Sequence, residues 1–330
     1  VGCRVDPQPG QGHASATVIQ ILAITGPIYM AIALGYATTR GGLFARADMR
    51  VFGQFVIKLA LPAMLFNALS QRQIGEILNA SYMLAYLAGT LALIGLGLLW
   101  GKRSGLGATD SVVAVMGMTC SNSGFVGYPI LLLLVAPVAA VALALNMLIE
   151  NLLVIPLLLA LAERSRGEAG HWTVVVGQSL KRLAVNPVII ALAAGVLVSL
   201  MRWQLPEPVL RAVNLFALSS AGLSLLVIGG TLVGLPLGGM GPQILPIAFG
   251  KLVLHPLAVF AAVMALPMLG LTALEPSLRV AAVLLAAMPM MGIYPILAQS
   301  YGKEDLGAAA LLVTTIASFF SLSGWIWLMG

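Results

Sequence analysis

The sequence predicts an all-α integral membrane protein of ten transmembrane helices, built as two inverted five-helix repeats with broken crossover helices at the fourth and ninth spans. Three observations predict it. Of 330 residues, 60% are hydrophobic and only 28 are charged, 17 Lys+Arg and 11 Asp+Glu, or 8% where a soluble domain carries about 25%. The apolar residues fall into ten runs near the roughly 20 residues that one spanning helix needs. Two of those runs, at matched places in the two halves, are interrupted by Gly and Pro.

Taken in order, residues 1–17 form a polar N-terminal segment that begins without Met, and residues 18–36 form the first span. That run exceeds the 7–15-residue core of a cleaved signal peptide. Further spans are expected near 51–70, 82–100, 110–134 and 138–161, which completes a first repeat over 18–161. The longest polar interruption, ERSRGEAGHWTVVVGQSLKR, marks a linker at 162–183. The second repeat, 184–330, holds spans near 184–201, 212–233, 243–266, 278–300 and 306–328. The fourth span contains NSGFVGYP from Asn122 and the ninth MPMMGIYP from Met288, 166 residues later. A looser echo pairs Gly26-Pro27 with Asn186-Pro187. Five spans per repeat is an odd number, so the copies have opposite orientations; paired breaks of this kind point to a secondary transporter with its site at the breaks.

Orientation follows from the cations in alternate loops. One set holds ten (Arg40, Arg46, Arg50, Lys102, Arg103, Arg164, Arg166, Lys181, Arg182 and Lys303) and the other five (Arg4, Arg72, Arg202, Arg211 and Arg279). The richer set belongs in the cytoplasm and both termini on the other side of the inner membrane. The net charge of +6 therefore reads as a topology signal. Scattered singly, with no basic stripe, these residues exclude a nucleic-acid partner. Cys3 lies in a polar stretch and Cys120 in an apolar one, so a disulfide and a metal cluster are both excluded, and nothing calls for a cofactor.

A helix broken in hydrocarbon exposes amides and carbonyls that only protein or a wet cavity can satisfy. In the fourth span Gly124 and Gly127 are expected to permit unwinding, with Pro129 in the first turn of the restarted helix. The positive N-terminus of that helix suits an anion, with donors from the amides near Gly127 and Tyr128 and from the side chains of Asn122 and Ser123. The ninth span repeats the device with Pro289, Met290, Met291, Gly292 and Pro295, and Tyr294 is its polar handle. Ionisable groups within spans are functional candidates. Glu150 shares a polar face with Asn146 and Asn151. Lys251 and His255 are one turn apart and could meet Glu150, as a coupling group or a structural pair; His255 precedes Pro256 and also suits a kink. Lys58 is a coupling candidate, or snorkels toward Arg50.

NSGFVGYP, AAMPMMGIYPILAQSYGKED and the KLALPAMLF of the second span resemble the auxin efflux carrier family, over residues 18–328. That family includes plant PIN auxin exporters and bacterial carriers linked to malonate and malate, and shares its fold with bile-acid sodium symporters. The resemblance implies a scaffold of spans 1, 2, 6 and 7, a mobile transport domain of spans 3–5 and 8–10, elevator motion and a homodimer. It matches the family's crossover asparagine to Asn122. PIN proteins carry a polar residue where Met290 stands, so this pocket is expected to be more apolar on one side. The function expected is a secondary carrier of a small organic anion, a carboxylate. A sodium symporter of the bile-acid type is the near alternative. A channel would want a ring of carbonyls or charges rather than two isolated breaks, and an intramembrane enzyme using Ser123 and His255 leaves the inverted halves unexplained.

Overall fold

The computed structural model describes residues 11–72, 78–166, 177, 181, 184–235 and 241–329. The N-terminal segment to residue 10 and most of the 162–183 linker lie outside them. Within the described residues the chain is helical, with α1 (Gln11–Arg40), α2 (Arg46–Ser70), α3 (Ala80–Arg103), α4 (Ala108–Thr119), α5 (Ser123–Leu134) and α6 (Ala136–Ser165). The series continues with α7 (Pro187–Leu200), α8 (Glu207–Thr231), α9 (Gly241–Ala265), α10 (Pro276–Ala287), α11 (Tyr294–Gln299) and α12 (Glu304–Met329). Each expected span has its helix, and the fourth and ninth are split, into α4 with α5 and α10 with α11. Six of the helices are long and apolar enough to cross a membrane by length and composition. The outer faces of the helices carry exposed large apolar side chains such as Leu34, Leu96, Leu197, Leu218 and Phe320, as a lipid-facing surface requires.

Local chemistry explains the ends and the bends. Asn79 and Asn186 cap α3 and α7, their side-chain oxygens accepting from the amides of Tyr82 and Val188 at 2.9 Å each, which satisfies amides the helix leaves open. Four turns widen to the π form: Val56–Ala60, Ser123–Gly127, Glu150–Val154 and Gly250–Leu254. Each precedes a proline by two residues: Pro62, Pro129, Pro156 and Pro256. Proline lacks an N–H and its ring clashes with the carbonyl four residues back, and a wider turn moves that carbonyl aside. Ahead of Pro256 the carbonyl in question is that of Leu252, which accepts instead from Trp325 Nε1 at 3.0 Å.

Packing sorts the helices by contact. α1 lies along α8, and α2 lies between α7 and α8. α3 packs on α4 and α9, α6 on α4 and α10, and α12 on α9, α10 and α11. Glycines set the closest approaches: a Cβ on Gly229 would sit 1.8 Å from the Ile32 carbonyl oxygen, one on Gly35 2.1 Å from that of Leu226, and one on Gly89 2.6 Å from the Val259 Cα. The split spans occupy the interior, with residues 111–119 of α4 and 281–287 of α10 buried on every side.

Candidate functional site

The two breaks cross and repair each other. Residues 120–122 and 288–293 are non-helical, and Ser121 faces Met290 in an isolated antiparallel bridge. The Asn122 amide donates to the Pro289 carbonyl at 2.8 Å, and the Met291 amide to the Cys120 carbonyl at 3.1 Å. Groups that would be orphaned in hydrocarbon are thus paired across the crossing.

The first break falls earlier than its glycines suggested. Gly124 and Gly127 lie inside α5, where they permit close packing rather than unwinding: a Cβ on Gly127 would be 2.6 Å from Leu285 Cδ2, and one on Gly124 3.1 Å from Leu61 Cδ1 and 3.2 Å from Met147 Cε. The Gly127 amide is taken by the Asn122 carbonyl at 3.0 Å and that of Tyr128 by the Ser123 carbonyl. Asn122 caps α5, its Oδ1 accepting from the Phe125 amide at 3.3 Å, and its Nδ2 has no partner among the described residues. Ser123 Oγ accepts from Asn146 Nδ2 at 2.5 Å, while Asn146 Oδ1 is buried without a partner among the described residues.

In the second break Met290 and Met291 are buried, whereas Gly292 is exposed and a Cβ there would meet only Ile228 Cδ1, at 3.9 Å. Tyr294 turns away from the crossing: fully buried, it donates to the Val113 carbonyl at 3.0 Å. Pro295 stands in the first turn of α11, as its place in the sequence suggested.

The charged residues converge on Ser121. Glu150 Oε1 accepts from the Ser121 amide at 3.1 Å and from Tyr86 Oη at 3.4 Å. Lys251 Nζ donates to Ser121 Oγ at 2.6 Å, to the Ala286 carbonyl at 2.8 Å and to His255 Nδ1 at 2.9 Å. The ammonium and the carboxylate meet through Ser121, with no direct ion pair between them. Thr90 Oγ1 lies 3.1 Å from His255 Nε2 and donates to the Tyr86 carbonyl at 2.8 Å. Tyr86 also meets the His255 ring edge-on, centroids 5.8 Å apart. Asn151 bonds the Met147 carbonyl of its own helix, and Lys58 is exposed on α2; neither joins the cluster.

Sequence reasoning missed Ser121 and the α3 residues Tyr86 and Thr90. The signal on α3 was spacing: Tyr82, Tyr86 and Thr90 recur every four residues, which puts polar groups on one face of an otherwise apolar helix. Ser121 stands one residue ahead of the NSGFVGYP motif, and only the crossing shows that it touches both ionisable side chains.

A polytopic helical membrane protein whose broken spans cross in its interior has the architecture of a membrane transporter. The family described as membrane transport protein matches residues 21–326, and the chain belongs to it; this is the auxin efflux carrier family of the resemblance. The chain is 29% identical over 315 residues to a "Putative malonate transporter" from Rhizobium meliloti (strain 1021), covering 94% of this chain and 96% of that one. A shorter likeness, 25% identical over 119 residues (36% of this chain, 37% of the other), is to an "Uncharacterized transporter" from Methanothermobacter thermautotrophicus (strain ATCC 29096 / DSM 1053 / JCM 10044 / NBRC 100330 / Delta H).

Proposed function

We propose that the protein is a secondary carrier of a small organic anion, a carboxylate, bound at the crossing of the two breaks and moved by an elevator motion. The observation that carries this reading is the bridge of Ser121 with Met290, which brings the start of α5 and the Met-rich second break to one place. The carboxylate's donors are Asn122 Nδ2 and the opening amides of α5 at Ser123 and Gly124, where the helix dipole is positive. Met290 and Met291 border the body of the substrate. Helices α1, α2, α7 and α8 form the scaffold, through which two copies associate, and α3–α6 with α9–α12 form the moving unit. The Gly35 and Gly229 contacts between α1 and α8, backbone against backbone, suit the rigid part. The two groups meet where α1 touches α5 and α12, where α2 touches α6 and where α8 touches α5. Both termini lie outside the cytoplasm. Malonate is the first substrate to try, given the name of the Rhizobium relative.

The test is a thermal-shift screen of the purified protein against mono- and dicarboxylates, malonate among them. Binding to the folded state stabilises it by RT ln(1 + [L]/Kd), about 2.7 kcal/mol at a hundredfold excess over Kd. A saturable rise in Tm with one carboxylate and none with its amide is expected. A response confined to neutral or cationic solutes would overturn the reading.

A further inference from the structure

At the crossing, α4 ends at Thr119 and α10 at Ala287, so the negative poles of two helix dipoles come together. In an unbroken helix the Ala286 carbonyl would accept from the amide of Met290, but Met290 lies in the break, opposite Ser121 in a bridge held by the flanking amides of Asn122 and Met291. Glu150 adds a carboxyl group on the other side of Ser121, its Oε1 accepting from the Ser121 amide. A buried site made of two helix C-termini and a carboxylate requires a cation.

Lys251, 0% exposed, reaches in from α9, and its hydrogen-bond partners suit the ammonium form. The Thr90 hydroxyl hydrogen is given to the Tyr86 carbonyl, so the Thr90 oxygen accepts from His255 Nε2–H. The lone pair of the neutral ring is then on Nδ1, which receives Lys251 Nζ–H. With Ser121 Oγ and the Ala286 carbonyl, Nζ has three acceptors. An ammonium has three donors to fill them, and a neutral amine has two.

We propose that Lys251 is a tethered cation seated in a latent monovalent-cation site. Its ammonium holds the place that a dissolved Na+ would take in a carrier that needs one. Removing the side chain uncovers a site lined by Ser121 Oγ, the Ala286 carbonyl and, across Ser121, the Glu150 carboxylate. The Ser121 and Ala286 oxygens are ligands of the kind that hold Na+ or a small primary ammonium, and the Glu150 carboxyl beyond Ser121 supplies the opposite charge. Independence of transport from sodium follows, and that consequence rests on the carrier reading; the cation site does not.

The experiment uses the purified full chain without any carboxylate. Tm is measured for wild type, Lys251→Ala and Lys251→Ala with Glu150→Gln, in choline chloride, NaCl and n-propylammonium chloride at equal ionic strength. Wild type is expected to melt alike in all three salts. Lys251→Ala is expected to melt lower in choline and to recover saturably with Na+ or propylammonium, the two arms separating a bare ion from an amine. Adding Glu150→Gln is expected to remove that recovery. A cation-insensitive Lys251→Ala, a recovery that survives Glu150→Gln, or a wild type that itself saturates with Na+ each overturns the proposal. Should Lys251→Ala not yield folded protein in any of the salts, Lys251→Met is made with and without Glu150→Gln. Rescue of yield by the second change supports a charge that Lys251 balances, and loss of both proteins refutes it. No substrate is read, so a negative result here leaves the carrier assignment standing, and a failed carboxylate screen leaves this one standing.

Discussion

Asn122 does two jobs with two atoms, and substitutions can separate them. Its Oδ1 caps α5 through the Phe125 amide; its Nδ2 is the donor offered to the carboxylate. Asn122→Ser keeps a capping oxygen, since Ser and Asn rank together at this position, whereas Asn122→Ala removes the cap at a cost of about 1 kcal/mol. Both lose the Nδ2 donor. A hydrogen bond to a charged group contributes about 1.5–3 kcal/mol, so both variants should bind the carboxylate roughly 10- to 150-fold more weakly. Only Asn122→Ala should also melt lower without ligand. Asn122→Asp preserves the cap but sets a negative charge against the substrate, and should abolish binding. The assay is calorimetric titration of each purified variant with the carboxylate found in the screen, beside its unliganded Tm. If Asn122→Ser binds as tightly as wild type, Nδ2 does not touch the substrate and the assignment of the site to the first break fails.

Tyr294→Phe should lower Tm by an amount equivalent to about 1 kcal/mol, the worth of an ordinary hydrogen bond, while leaving carboxylate affinity unchanged, because its hydroxyl serves the Val113 carbonyl; a large loss of affinity in titration would put Tyr294 at the substrate instead. Gly229→Ala should destabilise by about 1–3 kcal/mol, as overpacking does, since the new carbon meets the Ile32 backbone, whereas Gly222→Ala, with nothing within 4 Å, should melt no lower than wild type; equal melting of the two would mean that α1 and α8 do not cross so closely. For topology, a cysteine at Ser104 should be protected from impermeant reagents added outside intact cells and one at Glu207 should label, with Cys3 and Cys120 removed first. The reverse pattern would invert the orientation.

What could be read from the chain and what could not divide along physical lines. Span positions were legible because hydrocarbon imposes one requirement on every residue of a span, and α2, α3 and α9 each begin and end within five residues of their expected places. The breaks were legible because Pro289 and Pro295 have few other uses inside a membrane helix. The point of unwinding in the fourth span was not: a glycine that frees the backbone and a glycine that admits a neighbour look alike in sequence, and Gly127 is of the second kind only because Leu285 lies against it. Glu150, Lys251 and His255 were visible as rare charges. Their meeting at Ser121 depends on the crossing of segments about 170 residues apart, which no local pattern encodes.

The widened turns ahead of the prolines have a consequence for insertion and deletion. Each holds one residue more than an α-helical turn, and one residue corresponds to about 100° of rotation. Everything on the far side of the turn is therefore set at a different phase from everything on the near side. Glu150 and Lys251 both stand within such turns, where a polar group can be aimed inward while the apolar stripes above and below keep their own bearings. Deleting Val253 would close the turn and swing residues 241–251 relative to His255–Ala265. The lysine would leave the half-helix carbonyl it serves, although no residue that bonds to it had been changed.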